Sequence, residues 1–199
     1  MRSLSLTTIC LLTLAACLQQ ASAQEYSVDT GHSAVIFGIQ HVGLGNTYGR
    51  FNDFSGTIDY DPDDPAQGSV TVTVQVASVD SHSKKRDEHL RNADFFDAGT
   101  HPTMTFTGTG FQPVDGKDGH YTLTGELTIR GTTKEITVPV HKVGAGTHPF
   151  LKVPAIGFEA EFHIPVKEFG IGQGKYADAI GDQARIIVAL EAVVKQDEE

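Results

Sequence analysis

Arg86, Asp87, Glu88 and His89 put a guanidinium, two carboxylates and an imidazole side by side in one short run. Groups of this kind do acid–base or nucleophilic work only when they converge on one reacting atom. The surrounding Lys84 to Asn92 reads as a helix, on which successive residues point about 100° apart, so Asp87, Glu88 and His89 diverge. Their expected role is mechanical: Asp87 and His89 lock the helix to the element it covers. Gly170 to Lys175 (GIGQGK) has the residue types of a phosphate loop but lacks its glycine spacing and the hydroxyl after the lysine. Asp59, Asp61, Asp63 and Asp64 could gather Ca²⁺, yet Pro62 and Pro65 interrupt them and the glycine and glutamate of a calcium loop are missing. No Gly-x-Ser-x-Gly occurs. The chain does not read as an enzyme.

Nine histidines raise the question of a metal or haem. His32 and His41 are an odd number of positions apart and would face opposite ways on one strand. No His-x-His or His-x3-His pair exists, and His141 and His148 only flank a glycine-rich turn. The spacings therefore point to no metal ligands. A metal- or haem-binding periplasmic stress protein using surface or rim histidines is the alternative reading.

The elements around these groups are strands. Val35, Phe37, Ile39 and His41 alternate within Ser33 to Val42, and Phe54, Gly56, Ile58 and Tyr60 within Phe51 to Tyr60. Val70, Val72, Val74 and Val76 share one face of Ser69 to Val79, opposite Thr71, Thr73 and Gln75. The same period continues through Thr103–Phe111, Tyr121–Arg130, Thr132–Val143, Ala155–Ile164 and Ala184–Val194. The helix lies in a compact stretch near residues 84–96, with Asp80, Ser81 or Ser83 available to cap it. Lys84, Lys85 and Arg86 crowd its first turn, where the helix dipole disfavours cations, and read as a solvated basic face. Strands with one dry and one wet face imply an antiparallel sheet, and one short helix cannot cover all the dry faces. The expected fold is all-β: an extended antiparallel up-and-down barrel of about eight strands, whose interior is filled by side chains or holds one small ligand.

Residues 1–23 read as a signal peptide. Arg2 precedes an apolar run, Leu4 to Leu18, too short to span a bilayer, and Ala21-Ser22-Ala23 offers a cleavage site. The expected mature chain, 24–199, is a single domain of roughly 175 residues. The alternative is a lipoprotein anchored at Cys17, after Leu14-Ala15-Ala16. Both cysteines, Cys10 and Cys17, fall in the leader, so no disulfide or thiol chemistry is expected in the domain. With 15 Lys+Arg against 25 Asp+Glu, the formal charge of -10 argues against nucleic acid and anionic membranes as partners. No membrane span is expected, and the oligomeric state is open, a homodimer included.

Several runs in order along this chain resemble the YceI-like family of bacterial periplasmic proteins. They are Tyr26-Ser27-Val28-Asp29 with His32-Ser33, Gly49-Arg50-Phe51, Phe54-Ser55-Gly56, the Ser78-to-Phe96 stretch, Gly125 to Lys134 (GELTIRGTTK) and Phe169-Gly170-Ile171. The resemblance implies a lipocalin-like barrel, a periplasmic location and a polyisoprenoid or similar long apolar ligand held inside, with no other cofactor. Family members often carry an Arg and an Asp just before the Phe-Gly pair; this chain has Val166-Lys167-Glu168, so a contact relying on that Arg is not carried over.

Under that reading the dry-face residues Phe37, Ile39, Phe54, Val74, Phe106, Leu127, Phe162 and Leu190 line the ligand tunnel, and His41 meets a polar head group near the barrel mouth. Burial of each methylene is worth ~0.8 kcal/mol, so one five-carbon isoprene unit supplies roughly 3 to 4 kcal/mol gross. A few enclosed units reach micromolar affinity after ordering costs.

Overall fold

Apolar residues at every second position give each strand a face that must leave water, and the chain buries all of these faces inside one closed sheet. The computed structural model describes residues 24–194. The expected leader, its cleavage site and Cys17 lie outside the described residues. The strand segments are β1 (Gln24–Val28), β2 (Ala34–His41), β3 (Gly45–Phe51), β4 (Phe54–Tyr60), β5 (Ser69–Gln75), β6 (Val79–Asp80), β7 (Thr103–Pro113), β8 (His120–Ile129), β9 (Thr132–Thr147), β10 (Pro154–Pro165) and β11 (Ile180–Val193). Among the described residues there is one α-helix, α1 (Lys84–Arg91).

All pairings are antiparallel. The order β1-β4-β5-β7-β8-β9-β10-β11 closes through Ser27↔Val193 and Val28↔Ala192. The β2–β3 hairpin extends from the other half of β11, and β3 meets β6 through Arg50↔Asp80 and Phe51↔Val79. Thus β1/β2, β3/β4 and β5/β6 are three strands each broken once, and the eleven segments make the expected eight-stranded barrel.

The breaks differ from the simple alternation. Phe51 ends β3 rather than beginning β4, and Val76–Ser78 is a 3-10 turn instead of continuous strand. Backbone bonds hold the breaks: Gln75 N–H donates to the Asp53 carbonyl (2.9 Å) and Asn52 N–H to that of Ser78 (3.2 Å). Each strand can therefore change direction without orphaning buried polar backbone, which lets a coiled sheet close. Between β8 and β9, Arg130 (φ 50°) and Gly131 (φ 70°) supply the two positive φ values of a tight primed hairpin turn. Gly125 faces Gly108 across β7 and β8, and a Cβ there would sit 2.4 Å from the Thr107 carbonyl oxygen and 2.9 Å from the Phe106 ring.

The helix is held by a side chain within it. Ser83 occupies the capping position but makes no side-chain cap bond. Asp87, 7% exposed, instead accepts from the Ser81 N–H (2.8 Å) and hydroxyl (2.5 Å). Arg86 Nε donates to that same hydroxyl (2.7 Å), so one of the crowded cations is tied down and is not part of a free basic face. Arg91 donates to the Ala77 (2.8 Å) and Val79 (3.1 Å) carbonyls, fastening α1 to the β5/β6 break.

Candidate binding site: an apolar cavity closed at one end

The inward rows do not interlock along the whole barrel. Ile58, Tyr60, Phe111 and Leu123 are at most 2% exposed, as in a solid core. Phe106, Leu127, Phe162, Ile186 and Val188 point inward on neighbouring strands yet are only half-buried. The surface they keep borders a cavity of about 430 Å³. That volume falls in the range of about 300–1,000 Å³ common for small-molecule sites.

Four rings form the floor. Phe111 and Phe158 stack at 5.3 Å between centroids and face the cavity. Tyr60 meets both edge-on at 5.6 and 5.4 Å, and Tyr121 meets Phe111 at 5.9 Å. Behind the wall the Tyr60 and Tyr121 hydroxyls are 2.7 Å apart, and Lys142 Nζ donates to Tyr60 Oη at 3.3 Å. Burial first, and then the bond to Tyr60, push the Tyr121 hydroxyl up to about 12. Edge-on aromatic contacts add about 0.5–1.5 kcal/mol each beyond area burial, so this end is well sealed.

The opposite end is the mouth, where exposed His41 and Arg86 belong to the cavity wall. Arg86, His89 and Leu90 present one face of α1 to it, as spacings of three and four require. His89 Nε2 lies 3.1 Å from Asp94 Oδ2, and its ring meets Phe95 and Tyr176 edge-on at 4.8 and 4.9 Å. Phe96 packs edge-on against Phe51 (5.5 Å) and Phe37 (6.3 Å), so the Phe-Phe pair after the helix helps frame the opening. Arg130 Nη1 ties this rim together through the carbonyls of Ala93 (3.1 Å), Phe95 (2.5 Å) and Gly170 (2.8 Å). Lys167 Nζ donates to the Gly172 (2.9 Å) and Ala177 (2.7 Å) carbonyls, and Glu168 pairs with Lys134 at 2.6 Å. At this departure from the family pattern, both residues brace the rim.

Phe37, Ile39, Val74, Phe106, Leu127, Phe162 and Leu190 all reach the cavity wall, and His41 stands at its mouth. Phe54 does not reach the wall: it is 6% exposed, packed in the core beside the β3/β4 break. Phe51, from the other side of that break, takes the wall position and meets Phe37 at 5.6 Å with the rings tilted 45°. Asp87 and His89 diverge, one to Ser81 and the other to Asp94. The reading from sequence missed the floor tyrosines, Tyr176 and Arg130. A signal for Arg130 existed in its adjacent Gly131, since a guanidinium at a two-residue turn projects beyond the strand ends.

Residues 26–192 match the model of the YceI-like domain. The chain belongs to the YceI-like family. It is 42% identical over 153 residues to the YceI protein of Escherichia coli, covering 76% of this chain and 78% of that one. Among solved structures, BcnA of Burkholderia cenocepacia superposes with a TM-score of 0.75 at 31% identity, covering 82% of this chain and 98% of BcnA. A polyisoprenoid binding domain from Saccharophagus degradans, at 15% identity, shares the fold with a TM-score of 0.65 over 85% of this chain and 98% of its own. No helix among the described residues is long and apolar enough to cross a membrane.

Proposed function

We propose that this member of the YceI-like family is a periplasmic carrier that encloses a long apolar molecule, a polyisoprenoid or similar isoprenoid lipid. The observation that carries the proposal is the cavity of about 430 Å³, walled by aliphatic and aromatic side chains from floor to mouth. Such a space favours hydrocarbon because each methylene leaving water contributes ~0.8 kcal/mol. The ligand chain lies along Phe37, Ile39, Val74, Phe106, Leu127, Phe162 and Leu190; Phe54 supports the wall from behind, and His41 meets the head group. That a domain of the same fold is described as polyisoprenoid binding supports the ligand class. A binding role also accords with the carboxylate Asp87, which is held by Ser81 away from the cavity. Export rests on the reading of residues 1–23 as a leader.

The test has two arms. Organic extraction of purified protein followed by mass spectrometry is expected to release an isoprenoid lipid, and delipidated protein is expected to take up a long-chain prenol with a rise in Tm. Finding neither a co-purified lipid nor prenol uptake would overturn the proposal.

A further inference from the structure

We propose that Asp29, His32 and Glu191 form a divalent transition-metal site on the outer wall of the barrel, at the corner between β1 and β2. One ligand atom from each lies within 4.8 Å of the others. His32 Nδ1 is 2.8 Å from Asp29 Oδ2. An ion pair between these two accounts for them alone; the second carboxylate, Glu191, lies within the same 4.8 Å.

The backbone that carries the three is fixed without any ion. Asp29 N–H donates to the Glu191 carbonyl (2.8 Å), Glu191 N–H donates to Ser33 Oγ (2.9 Å), and Gly31 N–H donates to Asp29 Oδ1 (2.9 Å). His148 stands behind Glu191, with Nε2 3.8 Å from Oε1. Its Nδ1 accepts from the Phe150 (3.3 Å) and Leu151 (3.0 Å) N–H groups, which holds the ring with Nε2 on the Glu191 side. The side chains of His32, Glu191 and Asp29 are 66%, 39% and 27% exposed, so an ion reaches them from solvent.

One imidazole nitrogen and two carboxylate oxygens suit Zn²⁺ or a neighbouring first-row ion, with water completing the coordination. The carboxylates balance the charge of a dication, and the imidazole disfavours Mg²⁺ and Ca²⁺. A bound ion would join the β1/β2 break to β11, the strand against which the barrel closes. Sequence spacing could not reveal the site, because Glu191 reaches the corner only through closure of the barrel.

Untagged protein stripped with chelator and titrated with ZnCl₂ tests this by calorimetry and thermal melting. The expected result is one saturable equivalent, with Tm raised by about 5 °C or more at roughly a hundredfold excess over Kd. His32→Ala and Glu191→Gln should each weaken binding by about tenfold or more. His141→Ala should leave it unchanged; that substitution removes the separate His120–His141 pair, whose rings lie 4.5 Å apart. Absence of saturable binding, binding that survives either site substitution, or binding lost with His141→Ala would each overturn the assignment.

Discussion

The hydroxyls of Tyr60 and Tyr121 meet at 2.7 Å at the floor of the barrel, joining β4 to β8 across its interior. Tyr121 holds its proton up to about 12, because burial and the bond to Tyr60 both disfavour the phenolate. The folded state therefore keeps a proton that the unfolded chain releases near 10, and stability falls as pH rises from about 10 to 12. Burial also raises Tyr26, so ultraviolet titration should show late-ionising tyrosines, Tyr121 among them, coincident with alkaline unfolding. Tyr121→Phe should remove one tyrosine from that late titration and lower stability near neutral pH by about 1 kcal/mol. A Tyr121 ionising near 10 would contradict the sealed floor.

Val188 tests whether the axis is hollow. In a solid core Val188→Phe would cost about 1–3 kcal/mol through overpacking. In the cavity described, the added ring has room, so Tm should hold or rise while prenol uptake is lost. Chemical denaturation beside a binding assay separates the two outcomes.

Asp87 is expected to govern the rim from within the helix. Asp87→Ala leaves the buried Ser81 N–H and hydroxyl without their acceptor, costing about 1–3 kcal/mol. Hydrogen exchange should accelerate in Lys84–Arg91 before the β10–β11 ladder. Uniform acceleration throughout the barrel would mean that the helix is not a separable lid.

Gly125 is a steric requirement. A methyl group there meets the Thr107 carbonyl oxygen at 2.4 Å and the Gly108 Cα at 2.6 Å, both on the neighbouring strand's backbone, which cannot yield as a side chain can. Gly125→Ala should destabilise the barrel by about 1–3 kcal/mol, read from the denaturation midpoint.

Much of the barrel was legible because period-two alternation is a local property, and closure only selects which face points inward. Rows such as Ile186, Val188 and Leu190 therefore fall where the sequence places them. The strand breaks were not legible: both Phe51 and Phe54 are core residues, and the bend at Asn52 and Asp53 decides that Phe51 alone reaches the cavity wall. Segments β1 and β3 escaped notice because Gln24–Val28 is short and Gly45–Phe51 carries glycines and polar residues on a largely exposed hairpin. Groups defined by long-range closure, such as Tyr60 with Tyr121 or Asp29 with Glu191, carry no sequence signal at all.

The aromatic floor makes the barrel a blind tube. A flexible molecule longer than such a tube can be threaded only tail first, leaving its polar terminus outside beside His41 and Arg86. Water must leave by the same route, so filling and emptying share one bottleneck. Under the proposed carrier role, an enclosed molecule would enter and leave past α1, Phe95 and Tyr176.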